Sequence, residues 1–389
     1  MKITFVHDFP VLYNPIKKKY YSTGFPYSIW RRYLTIFNKI NVVSRIKNDS
    51  QIKETKNISS GENVTFSPLS TYSSLKTLIF NYKKIMKKLN DEVQDSDGVI
   101  IRLPSVLGFL TAKICRKQNK PYLVEVVGSI FDAYWHYGSL FSKVLAFPGE
   151  LLQKVSIKNA SVVIYITEDY LQNKYPTKGV SFGGISNVEV ENNFTSNFNF
   201  MIKTNKTFKI GLVGSTFVKY KGHATAIRAV SELKQKGYNI SLEFVGQGLS
   251  YYIKDTIENY KMKENVKYIG VINNKDEINK WYRSLDLYIQ PSKTEGHGRS
   301  IVEAIENGTP VIASNVGGIP DSVYEKYLFD IKKEKELVNL IERCIVDLDF
   351  VKNNIRDNMS RIKKYEKNKI REKRTIALEK YKNILMEDK

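Results

Sequence analysis

The feature that most limits the fold is an alternation, running through nearly the whole chain, of short β-branched runs with amphipathic segments. A strand with one wet face alternates apolar and polar residues, whereas a strand covered on both faces reads as a near-continuous apolar run. KITFVH (2–7), INVVSRI (40–46), VTFS (64–67), GVIIRL (98–103), YLVEVV (122–127) and VVIYIT (162–167) include several runs that are apolar throughout. Between them lie helical patterns such as SLKTLIFNYKKIMKKL, in which Leu75, Leu78, Ile79, Tyr82, Ile85, Met86 and Leu89 share one face. A parallel α/β domain follows.

Residues 191–207, ENNFTSNFNFMIKTNKT, interrupt this pattern with a polar, Asn-rich stretch that reads as a linker. The alternation then restarts with FKIGLVG (208–214), SLEFVG (241–246), VKYIG (266–270), LDLYIQ (285–290) and PVIAS (310–314). The chain therefore predicts two tandem Rossmann-like domains, 1–190 and 208–365, followed by a highly charged helix over 366–389. A length of 389 residues fits two cores better than one. Neither domain opens with G-x-G-x-x-G after its first strand, so a nicotinamide or flavin dinucleotide site has no support.

The stretch KTEGHGRSIVEAIENGTPVIASNVGGIPD (293–321) carries the chemistry. In an open parallel sheet, ligands sit at the carboxyl ends of strands, where helix N-termini point N–H groups into the crevice. Glu295 falls in a glycine-broken loop after LDLYIQ, and the helix runs from about Arg299 to Asn307-Gly308, so Glu303 lies just beyond its first turn. The glycines allow the N–H groups of Gly298, Arg299 and Ser300 to surround an anion. A diphosphate at the helix N-terminus suits that arrangement, with one carboxylate bonding hydroxyls on each side of it.

EGHGRSIVE resembles the E-x7-E signature of retaining, nucleotide-sugar-dependent glycosyltransferases of the two-Rossmann-domain GT-B class, family 4. FVGQGLS (244–250), VKYIGVI with Val271 and Ile272, VIASNVGGIPDSV (311–323) and ISNVEV (185–190) are similar to further motifs of that family, in its order and spacing. The resemblance implies a GT-B fold whose domains face across a cleft, with the C-terminal helix crossing back to the first domain. It implies that Glu303 holds the donor ribose and that Glu295 orients the donor sugar. GLVGSTFVKYKGHATAIRA (211–229) resembles the family's phosphate loop, with Gly214 in its turn and Lys221 as the catalytic, phosphate-binding cation. Ser215 stands where the family has an arginine, and Arg299 is the candidate to compensate. YYSTGFPYS (20–28) is similar to the glycine turn that meets donor phosphate and acceptor, with Gly24 its best match. After YLVEVV the family's histidine is absent, and Asp132 and His136 are the polar residues offered on the acceptor side.

The resemblance implies a nucleotide diphosphate sugar as donor, UDP-linked by expectation, and a glycan, lipid-linked or protein glycan as acceptor, with no cofactor and no metal. Asp95-Ser-Asp97 precedes its strand and Asp347-Leu-Asp349 lies in a helical pattern, so both read as surface carboxylates. A nucleotide-sugar epimerase of the same fold and a non-catalytic basic anion-binding protein are the alternatives. The balance of 61 Lys+Arg against 40 Asp+Glu, net +21, points to an anionic partner, although a general Lys and Asn richness accounts for part of it. Lys76, Lys83, Lys84, Lys87 and Lys88 on the helix at 75–89, with IKKKYYSTGF and YSIWRRY, fit an anionic membrane surface carrying the acceptor, and the helix lysines fit equally a solvated face of a core-packed helix. No nucleic-acid-binding motif accompanies the charge. Two cysteines, Cys115 and Cys344, without CxxC spacing read as buried thiols, and the N-terminus lacks signal-peptide features. A cytoplasmic protein, at most peripheral at the inner face of the membrane, is expected.

Overall fold

The computed structural model describes residues 1–22, 24–50, 57–69, 75–191 and 207–387. The linker expected at 191–207 therefore lies, apart from its two end residues, outside the described residues. The chain forms two compact units.

The first unit comprises Met1–Ile130, Pro148–Ile185 and Arg371–Lys389. Its strands are β1 (Lys2–Asn14), β2 (Lys19–Tyr21), β3 (Lys39–Asn48), β4 (Val64–Pro68), β5 (Gly98–Leu103), β6 (Tyr122–Val126), β7 (Val162–Tyr165) and β8 (Val180–Phe182). They pair in the order β4-β3-β1-β5-β6-β7-β8, all parallel, with β2 antiparallel on β1. Phe5, Val42, Ile100, Val124 and Val163 are at most 1% exposed, as a doubly covered sheet requires.

Strand β1 runs seven residues past the expected end at 7 because a register shift between Val6 and Pro10 absorbs a proline, which a regular ladder position would not accept. The Asp8 carboxylate at that irregularity accepts from the backbone N–H groups of Val106, over a short contact, and Leu107 at 3.1 Å. Beyond it the strand pairs with Arg45–Asn48 and turns at Asn14, whose Oδ1 accepts from Ile16 N and Lys17 N at 2.9 and 3.0 Å.

The helix expected over 74–89 is two helices, Leu75–Phe80 and Tyr82–Gln94. Asn81 breaks it: its side chain bonds the Thr77 carbonyl at 2.9 Å, competing with the backbone ladder. The apolar stripe consequently holds only in part. Ile85, Leu89 and Val93 are buried, whereas Ile79 and Tyr82 are exposed, as is Phe80.

The last helix, Lys367–Glu387, contributes its residues from Arg371 onward to this unit. The Tyr381 hydroxyl accepts from Val99 N at 2.7 Å and lies 3.0 Å from the carbonyls of Val99 and Pro121. Arg374, 3% exposed, pairs with Glu125 of β6, which also faces Arg102 and accepts from the Tyr33 hydroxyl at 2.7 Å. Burial outweighs these partners for the guanidinium and lowers its pKa to about 10.

The second unit comprises Phe131–Phe147 and Ser186–Ile370, so residues 131–147 group apart from the 1–190 domain expected for them. Its strands are β9 (Phe208–Val213), β10 (Ile240–Val245), β11 (Val266–Gly270), β12 (Leu287–Gln290), β13 (Val311–Ser314) and β14 (Leu328–Phe329). They form a parallel sheet in the order β11-β10-β9-β12-β13-β14. The fold is thus α/β with two tandem Rossmann-like units. Both cysteines are buried and unbridged.

Arg374→Met leaves Glu125 buried with one charged partner fewer. Urea denaturation is expected to show a loss of about 3 kcal/mol; a change below about 0.5 kcal/mol would mean that the buried pair does not hold the last helix.

Candidate active site

In the second unit the chain steps from β9 outward to β10 and β11, then returns to lay β12 on the other side of β9. The crevice beside the carboxyl ends of β9 and β12 is therefore its topological switch point, where open α/β sheets bind ligands. Loops from both strands meet there. Lys221, in a short turn after β9, places its Nζ 2.6 Å from Glu295 Oε1 on the loop after β12, with the two side chains 22% and 10% exposed.

Two glycines allow the approach. Gly222 has φ +79°, and a Cβ on it would fall 1.9 Å from the Pro291 carbonyl oxygen. Gly317, with φ +56°, would bring a Cβ within 1.9 Å of the Glu295 carbonyl oxygen. Any side chain at either position would push apart the loops that carry the pair.

A line of hydroxyl and amide groups fixes Glu295 from below. Tyr288 donates to Gln290 Oε1 at 2.5 Å, Gln290 Nε2 donates to Ser292 Oγ at 2.8 Å, and Ser292 donates to Glu295 Oε1 at 2.9 Å. Ser300, in the first turn of helix Arg299–Glu306, joins the same line by donating to Gln290 Oε1 at 3.2 Å. The helix start is thereby registered against the carboxylate. Gly298 caps that helix at φ +76°, and Arg299 is exposed at its first position.

Glu303, on the same helix, accepts from the Tyr282 hydroxyl at 3.0 Å. Burial raises its pKa above the ordinary carboxylate value; the Tyr282 bond and the Arg299 charge pull the other way without overcoming it. Such a carboxylate is largely desolvated yet accepts from Tyr282 through one oxygen, so it retains acceptor capacity.

The other predicted residues lie in the loops at this end of the sheet or outside it. Gly214 follows β9 and donates its N–H to Val245 O at 2.9 Å, while the Ser215 hydroxyl lies 3.2 Å from the Gln247 carbonyl oxygen. Val271 and Ile272 follow β11, with Val271 exposed. Gly24 belongs to the first unit, where it follows β2 and has no atom within 4 Å of its Cβ position. Asp132 and His136 sit in and just after helix Ile130–Trp135; the His136 ring Nδ1 lies 3.0 Å from the Asp132 carbonyl, a local contact within one turn. Among the described residues no group of three or more His, Cys, Asp or Glu side chains is placed to hold a metal ion. Asp95 pairs with Lys2, and Asp347 caps the helix Leu348–Ile362 through Phe350 N at 2.8 Å.

Sequence reasoning missed the Tyr288–Gln290–Ser292 line, Tyr282 and His297. The alternation of Tyr288, Gln290 and Ser292 was the one available signal, since residues two apart in an extended segment share a face. His297 lies between Gly296 and Gly298, is 4% exposed, and packs against Tyr365 with ring centroids 4.7 Å apart. Neither of its ring nitrogens has a hydrogen-bond partner, and burial lowers its pKa to about 4.

Comparison with known proteins bears on the family and the fold. Residues 196–368 match the family model described as glycosyl transferases group 1. Over 385 residues, 99% of this chain and 97% of its counterpart, the sequence is 50% identical to Protein CapJ of Staphylococcus aureus. It is 25% identical over 215 residues, 51% of this chain and 55% of the relative, to the capsular polysaccharide biosynthesis glycosyltransferase CapM of the same species. Anabaena HepE, solved in complex with UDP-glucose, superposes with a TM-score of 0.67 at 15% identity, covering 97% of this chain and 99% of HepE. Sucrose-phosphate synthase of Thermosynechococcus elongatus gives a TM-score of 0.71 at 15% identity, covering 99% and 100%. At such identities the structural likeness concerns the fold.

The buried imidazole generates a pH prediction. His297 takes a proton near its ordinary pKa of 6.5 when unfolded and only near pH 4 when folded, so its contribution is full above about 6.5 and is lost as pH falls toward 4. His297→Phe is expected to flatten the decline in thermal stability between pH 7 and 4.5 by an amount on the order of 3 kcal/mol. An unchanged decline would place the titration elsewhere, His223 being the next buried candidate.

Proposed function

Because the chain belongs to the glycosyl transferases group 1 family, and is a glycosyltransferase of GT-B fold, we propose that it transfers a hexosyl or N-acetylhexosaminyl group from a UDP-sugar with retention at the anomeric carbon, in the manner of family 4. The acceptor is a glycan of a surface polysaccharide under assembly, carried on a lipid at the cytoplasmic face of the membrane. The kinship with CapJ and CapM supports the polysaccharide, and the UDP-glucose bound to HepE supports the nucleotide.

The observation that carries the reading is the meeting of Lys221 and Glu295 at the switch point, beside the N-terminus of the helix that bears Glu303. In this reading the donor diphosphate takes Lys221 away from Glu295. The helix N-terminus, with the N–H groups of Gly298, Arg299 and Ser300, receives the phosphates together with Gly214 and Ser215. The Arg299 guanidinium supplies the charge that Ser215 lacks. Glu295, released from its cation but still held by Ser292, turns to the hydroxyls of the sugar, and Glu303 holds the ribose while Val271 and Ile272 border the base. Transfer breaks the bond between anomeric carbon and diphosphate oxygen as the acceptor oxygen bonds to that carbon. The acceptor proton passes to the departing diphosphate, whose charge Lys221 and the N–H groups stabilise more strongly than in the ground state. Gly24, Asp132 and His136 are proposed contacts nearer the acceptor. No step in this reading calls for a metal or a cofactor.

Glu303→Ala is expected to lower UDP affinity by about a hundredfold, two charge-assisted hydrogen bonds being lost. Glu295→Ala, by contrast, should leave UDP affinity within about threefold while sugar transfer falls by about two orders of magnitude. Calorimetric titration and a transfer assay read the two effects, and equal losses of UDP affinity would overturn this division of labour. Incubation with UDP-sugars alone supplies the control against the epimerase alternative: epimerised sugar without acceptor would refute transfer.

A further inference from the structure

Residues 131–147 carry an apolar face that the described structure leaves open. Leu140, Phe141, Val144 and Phe147 are 82%, 66%, 68% and 61% exposed, with Trp135 and Tyr137 exposed beside them. Leu140, Val144 and Phe147 stand at i, i+4 and i+7 of the helix Leu140–Lys158, so they form one stripe. Contiguous apolar surface on this scale marks an interaction site, since isolated exposed hydrophobics are scattered singly.

The face is also preorganised. Phe131 stacks on Trp135 with centroids 5.4 Å apart, and Phe147 meets both rings edge-on at 5.6 and 6.0 Å. These three rings hold helix Ile130–Trp135 against the start of the longer helix. Gly138 in the connecting turn has its Cβ position 3.1 Å from the Lys219 side chain.

Charge identifies the occupant. From Ala133 to Gly149 the chain contains no Asp or Glu. The flanking acids are engaged: Asp132 keeps contacts of its own, and Glu150 accepts from Tyr175 at 2.6 Å and faces Lys154 at 3.4 Å. The cation within the stretch, Lys143, lies 5.4 Å from the Trp135 ring centroid, its stem running along the aromatic surface. An apolar stripe edged by Trp, Tyr and Lys, with no acid, in a chain of net charge +21, matches the interface of an anionic bilayer. Among the described residues no helix is long and apolar enough to cross a membrane.

We propose that the helical hairpin of residues 131–147 docks this protein on an anionic lipid bilayer by burying Leu140, Phe141, Val144 and Phe147 at the headgroup boundary. The proposal deepens the reading of a lipid-borne acceptor and rests on it. It differs from a purely electrostatic attachment through the lysines of helix Tyr82–Gln94, which salt would remove.

Flotation with phosphatidylglycerol–phosphatidylcholine vesicles, at about 0.1 and 0.5 M salt, tests it on the full chain. Wild-type protein is expected to float with the anionic vesicles and to stay partly bound at the higher salt. Phe141→Glu/Val144→Glu, at exposed positions that leave the fold intact, is expected to lower partitioning by about a hundredfold. Thermal stabilisation by UDP is the parallel readout. If the double variant floats like wild type, or if wild type does not float, the inference is overturned; if the double variant instead dissolves a dimer seen by light scattering, the face belongs to a second copy and the inference is likewise overturned. UDP stabilisation without flotation would sink this inference alone, and flotation without any UDP effect would sink the transferase reading instead.

Discussion

Everything in the second unit is arranged around one contact, the 2.6 Å pair of Lys221 and Glu295. A Lys–carboxylate pair at a surface is worth little, but both partners of this one are mostly covered, which weakens solvent screening. The contact depends on backbone that only glycine permits: Gly222 against Pro291 and Gly317 against Glu295. It depends equally on Ser292, Gln290 and Tyr288, which fix the carboxylate without adding charge. In the proposed reading, an anion competes for the lysine of this held pair.

Around that contact the unit tolerates buried polar groups whose partners are incomplete. Glu303 is desolvated with its pKa raised, and both nitrogens of His297 lack partners, as does Nε2 of His223. Each such group costs stability on the order of 1–3 kcal/mol, and such groups concentrate where a site is built for a ligand. Glu303 carries the plainest tension of this kind, because the feature that weakens the empty fold is the acceptor capacity proposed for ribose. In the first unit Glu125 faces Arg102 and Arg374 at 3.5 Å and accepts from Tyr33, while its Oε2 likewise lacks a hydrogen-bond partner; the cluster ties the last helix to the sheet.

Much of the architecture was legible because the strands are covered on both faces and so write themselves as apolar runs. Strands β3, β5 to β7, β9, β10, β12 and β13 stand where such runs occur, β4 and β11 carry no buried residue and were marked only by their β-branched and aromatic residues, and β2, β8 and β14, of three, three and two residues, left no period to detect. The break at Asn81 was hidden because the apolar spacing continues across it, and only the side-chain bond to Thr77 shows that the stripe is interrupted. The extension of β1 beyond His7 was masked by Asp8 and Pro10, which end the apolar run although the strand continues past a register shift. At the site, the spacing of Glu295 and Glu303 and the position of Lys221 were legible as a pattern, but the direct pairing of Lys221 with Glu295 was not. That pairing joins residues 74 positions apart and arises from strand order, which local sequence does not encode. Tyr282 and His297 were illegible for a related reason: NKWYRS and EGHGRS are polar segments whose neighbouring residues give no sign that either side chain is buried.

The central question for the site is whether a diphosphate engages Lys221 in place of Glu295. Calorimetric titration of uridine and of UDP into wild-type protein and Lys221→Met measures this directly. UDP is expected to bind wild type at least about a hundredfold more tightly than uridine, and this advantage to shrink to about tenfold or less in the variant, with uridine affinity unchanged. An advantage of UDP over uridine that is the same in both proteins would contradict that engagement.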